Sequence, residues 1–240
     1  MRIKAGLVFL TVAFFSLGHG QVRPPSGQTY QTTTFRVLAV GDSITYGYGA
    51  PGGYRAILEA RLKANGYRYT LLGSETGNSA GLPYPGHEGH GGWSTTDITG
   101  GRQNQPEQGK LADWVRAYKP DTVLVMIGTN DGVWMDRADW KAKYEKLLDI
   151  VFAYNPKMKV AMACIPKSDN AVTGKSMDEA LNFDVVRSVV YARRALGFRI
   201  RFADVYTPFN PDVDLFDAYH PNARGYKKIA DAFYSAMTRL

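Results

Sequence analysis

A single cysteine, Cys164, stands among 240 residues, so no intramolecular disulfide can form and an ordinary hydrophobic core must hold the fold. Cys164 lies in the apolar stretch VAMACIP with no histidine nearby in sequence, and reads as a buried, inert thiol. Long hydrophobic runs are missing as well. The N-terminal apolar run, Leu7 to Leu17, has eleven residues, against the roughly 20 that a membrane-spanning helix requires. No later segment is long and apolar enough, which argues against a membrane protein. Nor is there a dense basic run. Lysines and arginines number 29 against 22 acidic residues, but they are spread out (Arg55, Arg61, Lys63, Arg68, Lys110, Arg116). That is a solvated surface, not the concentrated stripe of a nucleic-acid groove. The mild positive charge still suits acidic polysaccharides.

What is there begins with a leader. Arg2 and Lys4 precede the apolar run, and Gly18 and Gly20 follow it, the layout of a secretory signal peptide over 1–20 with cleavage after Gly20. Its removal leaves 27 basic against 22 acidic residues in a secreted chain. Residues 21–34, QVRPPSGQTYQTTT, are polar with two prolines and read as a flexible lead-in. Residues 35–240 then suit one α/β domain with a single core, and the chain reads as a monomer.

Within that domain the pattern alternates strand and helix. Strands are expected at Phe35–Val40, Tyr69–Leu72, the continuous apolar run DTVLVMIG, Lys159–Ile165 and FRIRFADV. Helices are expected at Gly53–Asn65, from Pro106 to Tyr118, over 138–154, over 178–196 and from Asn222 onward, the last with Tyr226, Ile229, Ala230 and Phe233 as its buried stripe. Residues 74–104, rich in Gly, Ser and Pro, read as a long functional loop. Five strands alternating with helices imply a five-stranded parallel sheet in a flavodoxin-like three-layer α/β/α sandwich. In such sheets ligands bind where loops leave the carboxyl ends of strands.

The strand VLAVGDSITYG ends on Ser43, which needs a base and an orienting group to become nucleophilic. Beyond the leader the chain has three histidines, His87, His90 and His220. His220 follows Asp217 by three residues in LFDAYHPNARGY, a spacing that in a tight loop lets the carboxylate reach the imidazole Nδ1. Asn130 in MIGTND can donate from its side-chain amide, and GHGGWST offers backbone N–H groups from residues without side chains, as an oxyanion requires. Asp131 is expected to shape the loop that presents Asn130. The segment GNSAG resembles a nucleophile elbow around Ser79, but Pro83 and Pro85 follow where that elbow needs a helix, so Ser79 is rejected. His87 and His90 are three apart among glycines, not four apart on a helix, and do not read as a zinc pair.

Four blocks, GDSIT, HGGWST, GTND and DAYH, in that order, resemble the SGNH (GDSL) hydrolase superfamily across residues 35–240. Within it, GDSITYGYGAPGGYRAIL and YPGHEGHGGWSTTDI are most similar to carbohydrate esterase family 3, which contains acetylxylan esterases. The resemblance implies Ser43 as nucleophile, His220 as general base and Asp217 in support. It implies the Ser43 N–H, the Gly92 N–H and the Asn130 side chain as oxyanion donors, with Gly91 the alternative one residue away. It also implies deacetylation of a plant cell-wall polysaccharide such as acetylated xylan, with no cofactor and no metal. Trp93 and Trp134, with Tyr84 nearby, are candidates to stack on sugar rings. Two rivals stand beside this reading: a lipase or lysophospholipase, which would need an acyl pocket with an exposed apolar rim, and a non-catalytic glycan-binding protein.

Overall fold

The computed structural model describes residues 34–132 and 135–240. The leader over 1–20, most of the lead-in and Trp134 lie outside the described residues. The elements run β1 (Thr34–Gly41), α1 (Ser43–Tyr46), α2 (Gly53–Ala64), β2 (Arg68–Leu72), β3 (Glu88–Gly89), α3 (Thr95–Gly100), α4 (Leu111–Tyr118), β4 (Thr122–Met126), α5 (Arg137–Tyr154), β5 (Lys159–Ala163), α6 (Asn170–Thr173), α7 (Ser176–Ala195), β6 (Ile200–Ala203), α8 (Pro211–Asp214) and α9 (Ala223–Met237). Thr34, read above as the end of the lead-in, already belongs to β1.

The five long strands are all parallel, in the order β2-β1-β4-β5-β6, which is the flavodoxin-like arrangement. The two-residue β3 adds a short parallel pairing at the C-terminal end of β1, Val40 with Glu88 and Gly41 with Gly89. Strand β4 is buried along its whole length, as expected of a central strand covered on both faces. Helices α2 and α9 pack together, while α3, α4 and α7 pack on α5, giving the two helical layers. Tyr226, Ile229, Ala230 and Phe233 of α9 are fully buried, as their helical spacing requires.

The loop region between β2 and α4 is more ordered than its composition suggests. Besides β3 it holds α3, whose start carries a capping box: Ser94 accepts from the Asp97 N–H while Asp97 accepts from the Ser94 N–H. Pro106 begins a single 3₁₀ turn rather than α4, because Gly109 at φ +73° breaks the helical path before Leu111. Among the basic residues read as surface, Arg55 is fully buried. Its guanidinium donates to the carbonyls of Thr45, Tyr46, Asn78 and Pro85, tying α2 to the end of α1 and to the loop over 77–85. Cys164 is buried, and burial pushes its thiol up to about 12, which keeps it inert.

Gly41 sets how closely β1 can deliver the segment that follows it. A Cβ there would lie 2.2 Å from both the Met126 carbonyl oxygen and the Thr45 hydroxyl. Gly41→Ala should therefore destabilise the domain by about 3 kcal/mol, the upper end of overpacking costs. Urea unfolding checks this; a loss below about 1 kcal/mol would mean the backbone yields there.

Candidate active site

Ser43 leaves β1 on a sharp turn. Asp42 caps α1 by accepting the Ile44 N–H at 2.9 Å, and Gly47 ends the helix after one turn at φ +94°. Burial lifts the Asp42 carboxyl to about 6, against the pull of the Ile44 N–H.

His220 comes from the loop between α8 and α9, and that loop is tightly tied. Asp214 is buried and forms ion pairs with Arg224 at 3.1 Å and Lys228 at 2.5 Å. Asn222 caps α9 through the N–H groups of Arg224 and Gly225, and its amide donates to the carbonyls of Val213 and Leu215. The Phe216 N–H donates to the His220 carbonyl at 2.7 Å, closing a hairpin over the tip. Within it, Asp217 accepts from the Tyr219 N–H at 2.9 Å, the His220 N–H at 2.7 Å and the His220 Nδ1 at 2.8 Å. Burial raises the Asp217 carboxyl, but these three donors outweigh it and hold it below its ordinary value. The imidazole then presents Nε2 to the Ser43 Oγ at 2.9 Å. Two segments far apart in sequence thus form one hydrogen-bonded relay.

Asn130 follows β4, and its Nδ2 donates to the Trp93 carbonyl at 3.0 Å. Asp131 is buried and accepts from the Thr95 N–H and hydroxyl at 2.9 and 2.8 Å while pairing with Lys143. It therefore ties the Asn130 loop to α3, in keeping with its expected role. Gly92 sits at φ +74°, a backbone region open to glycine. Ser43, Gly92, Asn130 and His220 line one cavity of about 510 Å³, whereas Gly91 lines a separate one beside His90 and Gln105. That separation favours Gly92 over Gly91. Neither the Ser43 N–H nor the Gly92 N–H has an acceptor among the described residues, so both are free for an incoming anion.

Trp93 is a correction. It is 1% exposed, and its Nε1 donates to Gln105 at 3.0 Å. It forms an aromatic cluster with His90 and Trp114: its ring stacks on His90 at a centroid distance of 4.3 Å, His90 stacks on Trp114 at 5.0 Å, and the two indoles are themselves 6.0 Å apart. It supports the glycine turn from beneath and offers no face to a sugar. His90 in turn bonds Glu88 at 2.9 Å. His87 uses both nitrogens, accepting from the Gly89 N–H and meeting the Gly77 carbonyl, and burial lowers its pKa to about 3. Both histidines therefore brace the loop. Ser79 lies in an irregular turn, and its neighbour Asn78 clamps the carbonyls of Tyr46, Gly47 and Ala50.

Residues the sequence reading missed complete the cavity. Tyr48, Thr129, Lys175 and Tyr219 line it, with the Lys175 Nζ donating to the Thr129 carbonyl at 2.6 Å. The Tyr48 ring packs on the His220 ring at 4.5 Å and meets the Phe216 ring edge-on at 6.3 Å. Their sequence signal was position alone: Tyr48 is five residues past Ser43, and Tyr219 directly precedes His220.

Comparison with known proteins bears on the family and the fold. The model of the "GDSL-like Lipase/Acylhydrolase family" matches residues 39–228. A "Multidomain esterase" from Ruminococcus flavefaciens is 32% identical over 212 residues, covering 82% of this chain but 27% of that protein. The chain thus spans about a quarter of the length of that relative. Among solved structures, the "Clostridium thermocellum family 3 carbohydrate esterase" superposes with a TM-score of 0.71 at 25% identity, covering 86% of this chain and 96% of that one. A family 3 carbohydrate esterase from Talaromyces cellulolyticus shares the fold with a TM-score of 0.69 at 24% identity, covering 84% and 95%.

The raised Asp42 carboxyl makes stability depend on pH. A group whose folded pKa is lifted from 3.8 to about 6 supports the fold fully below pH 3.8 and loses that support as pH rises through 6. Two units correspond to roughly 3 kcal/mol. Asp42→Asn keeps the capping oxygen and cannot ionise. Unfolding of both proteins at pH 4 and pH 8 should show the Asn variant gaining roughly 3 kcal/mol on the wild type; an unchanged difference would contradict the buried-carboxyl account.

Proposed function

The chain belongs to the GDSL-like lipase/acylhydrolase family; from this premise we propose that it is a carboxylic ester hydrolase, a secreted serine esterase that removes acetyl groups from a plant cell-wall polysaccharide, acetylated xylan first among them. The observation that carries the reading is the relay from Asp217 through His220 to Ser43, opening into a cavity with two free backbone donors.

In the proposed mechanism, the His220 Nε2 accepts the Ser43 proton as Oγ attacks the acetyl carbonyl. Asp217 holds the Nδ1–H tautomer and stabilises the imidazolium. The Ser43 N–H, the Gly92 N–H and the second N–H of the Asn130 amide stabilise the tetrahedral oxyanion, each donor contributing about 3 kcal/mol. His220 then protonates the departing sugar hydroxyl, and water activated by the same nitrogen releases acetate and restores Ser43.

The cavity lining supports a short acyl group. Tyr48, Gly92, Thr129, Asn130, Lys175 and Tyr219 include no aliphatic side chain on which a long acyl tail would settle. Beside it, sharing Tyr48, a cavity of about 420 Å³ is lined by Tyr46, Ala50, Pro51, Asn78 and Phe216. Tyr48 and Phe216 are 51% and 62% exposed. These rings take the sugar-stacking role expected of tryptophan. Likeness to family 3 carbohydrate esterases supports the acetylated-glycan substrate. The signal-peptide-like pattern of residues 1–20 is what supports secretion.

One feature favours the lipase alternative: Val172 and Met177, 68% and 73% exposed, flank in sequence Lys175, which lines the cavity. Chain length decides between the two. The kcat/KM should be highest on 4-nitrophenyl acetate and fall at least tenfold by the octanoate, with acetate released from acetylated xylan. A rate that rises with acyl length would favour the lipase. Ser43→Ala should lower kcat by roughly four to six orders of magnitude while leaving the unfolding midpoint in place. Retained turnover would remove the nucleophile assignment.

A further inference from the structure

Arginines scattered along the sequence are gathered by the fold. Far from Ser43, a cleft of about 590 Å³ opens between α7, the edge strand β6 and the last turns of α9. Arg187, Arg194, Arg201 and Arg239 line it, against one lining carboxylate, Asp204. Arg187 pairs with Asp184 at 3.3 Å. The other three have no ion-pair partner among the described residues; Arg201 donates to the Ile200 carbonyl at 3.0 Å and Arg239 to the Ser235 carbonyl at 2.7 Å. Asp204 accepts the Thr207 N–H. Burial, then repulsion from Arg194, Arg239 and Arg199, lowers the pKa of Arg201.

A charged edge strand can serve only to block pairing with another sheet. That role is met by Arg199 and Arg201 on or beside β6. It does not call for Arg187 and Arg194 from α7 and Arg239 from α9 to converge on the same cleft. Such convergence leaves a positive field that Asp204 and Asp184 offset only in part, and an anionic ligand would neutralise the remainder.

We propose that this cleft is a second binding site, separate from the ester-hydrolysing one, for a carboxylate-bearing polysaccharide. The guanidinium fork matches a carboxylate through two parallel hydrogen bonds, and several forks in one cleft suit carboxylates repeated along a chain. Tyr191, 55% exposed, adds a ring at the mouth, and Phe183 and Phe202 add apolar walls for sugar faces. Strand β6 is three strand steps from β1 in the sheet, about 14 Å at the usual spacing, so occupation leaves Ser43 accessible. Duplex nucleic acid fits less well, because four cations neutralise fewer phosphates than the 6–10 contacts, on that order, of tight binding.

Affinity electrophoresis of the full chain in gels containing polygalacturonate, the same polymer fully methyl-esterified, or duplex DNA tests the site. The expected result is retardation by polygalacturonate and none by its methyl ester. The dissociation constant should rise at least tenfold in the Arg194→Gln, Arg239→Gln double variant. Both side chains are exposed, and 4-nitrophenyl acetate turnover in the double variant should match the wild type. The site is overturned if polygalacturonate does not retard the wild type, if the methyl ester does so equally, if the double variant binds as well, or if DNA binds more tightly. A wild type that binds polygalacturonate without hydrolysing esters would sink only the esterase reading, and one that hydrolyses without binding would sink only this site.

Discussion

The contact between the His220 Nε2 and the Ser43 Oγ, 2.9 Å across 177 residues of sequence, is the constraint on which the site depends. Neither partner is held by the other. Ser43 is placed by β1, whose neighbours β2, β3 and β4 leave it no lateral freedom, and by the Asp42 cap. His220 is placed by a hairpin locked at its base by Asp214 and Asn222. Two independently rigid supports meet at one hydrogen bond, which is how a reactive geometry is kept without mutual strain.

The region between β2 and α4 shows a second strategy. It has few aliphatic side chains to bury, so polar groups do the fastening. Arg55 gathers four carbonyls. Asp131 joins α3 to the Asn130 loop. His90 stacks on two indoles that also touch each other, and bonds Glu88. Each of these buried polar groups has its partners satisfied, the condition under which such a network rigidifies instead of weakening a fold. The outcome is a glycine turn at Gly92 that lines the cavity shared by Ser43 and Asn130.

The strands and the long helices were legible in the sequence because an apolar run or a 3.6-residue stripe records burial directly. Ser43, His220, Asp217 and Asn130 were legible because the α/β pattern sends the ends of parallel strands to one edge. Trp93 was misread because a large aromatic in a glycine-rich loop looks the same whether it faces solvent or the core; only the fold, which packs it against both His90 and Trp114, decides. Tyr48, Lys175 and Phe216 were passed over because no periodicity marks a residue that lines a cavity from an irregular loop. Arg55 and the arginine cleft escaped for the same reason, since burial and clustering of charge are tertiary properties. The short elements β3, α6 and α8 are below the length at which a pattern can be told from chance.

In the proposed mechanism Ser43 carries the acyl group between two half-reactions. Rapid acid quenching during turnover of 4-nitrophenyl acetate, followed by mass spectrometry of the intact chain and its peptides, measures this directly. The account requires a single acetyl adduct on the peptide containing Ser43, accumulating before steady state and clearing as substrate is spent. No adduct, or one on Ser79 or Cys164, would contradict it.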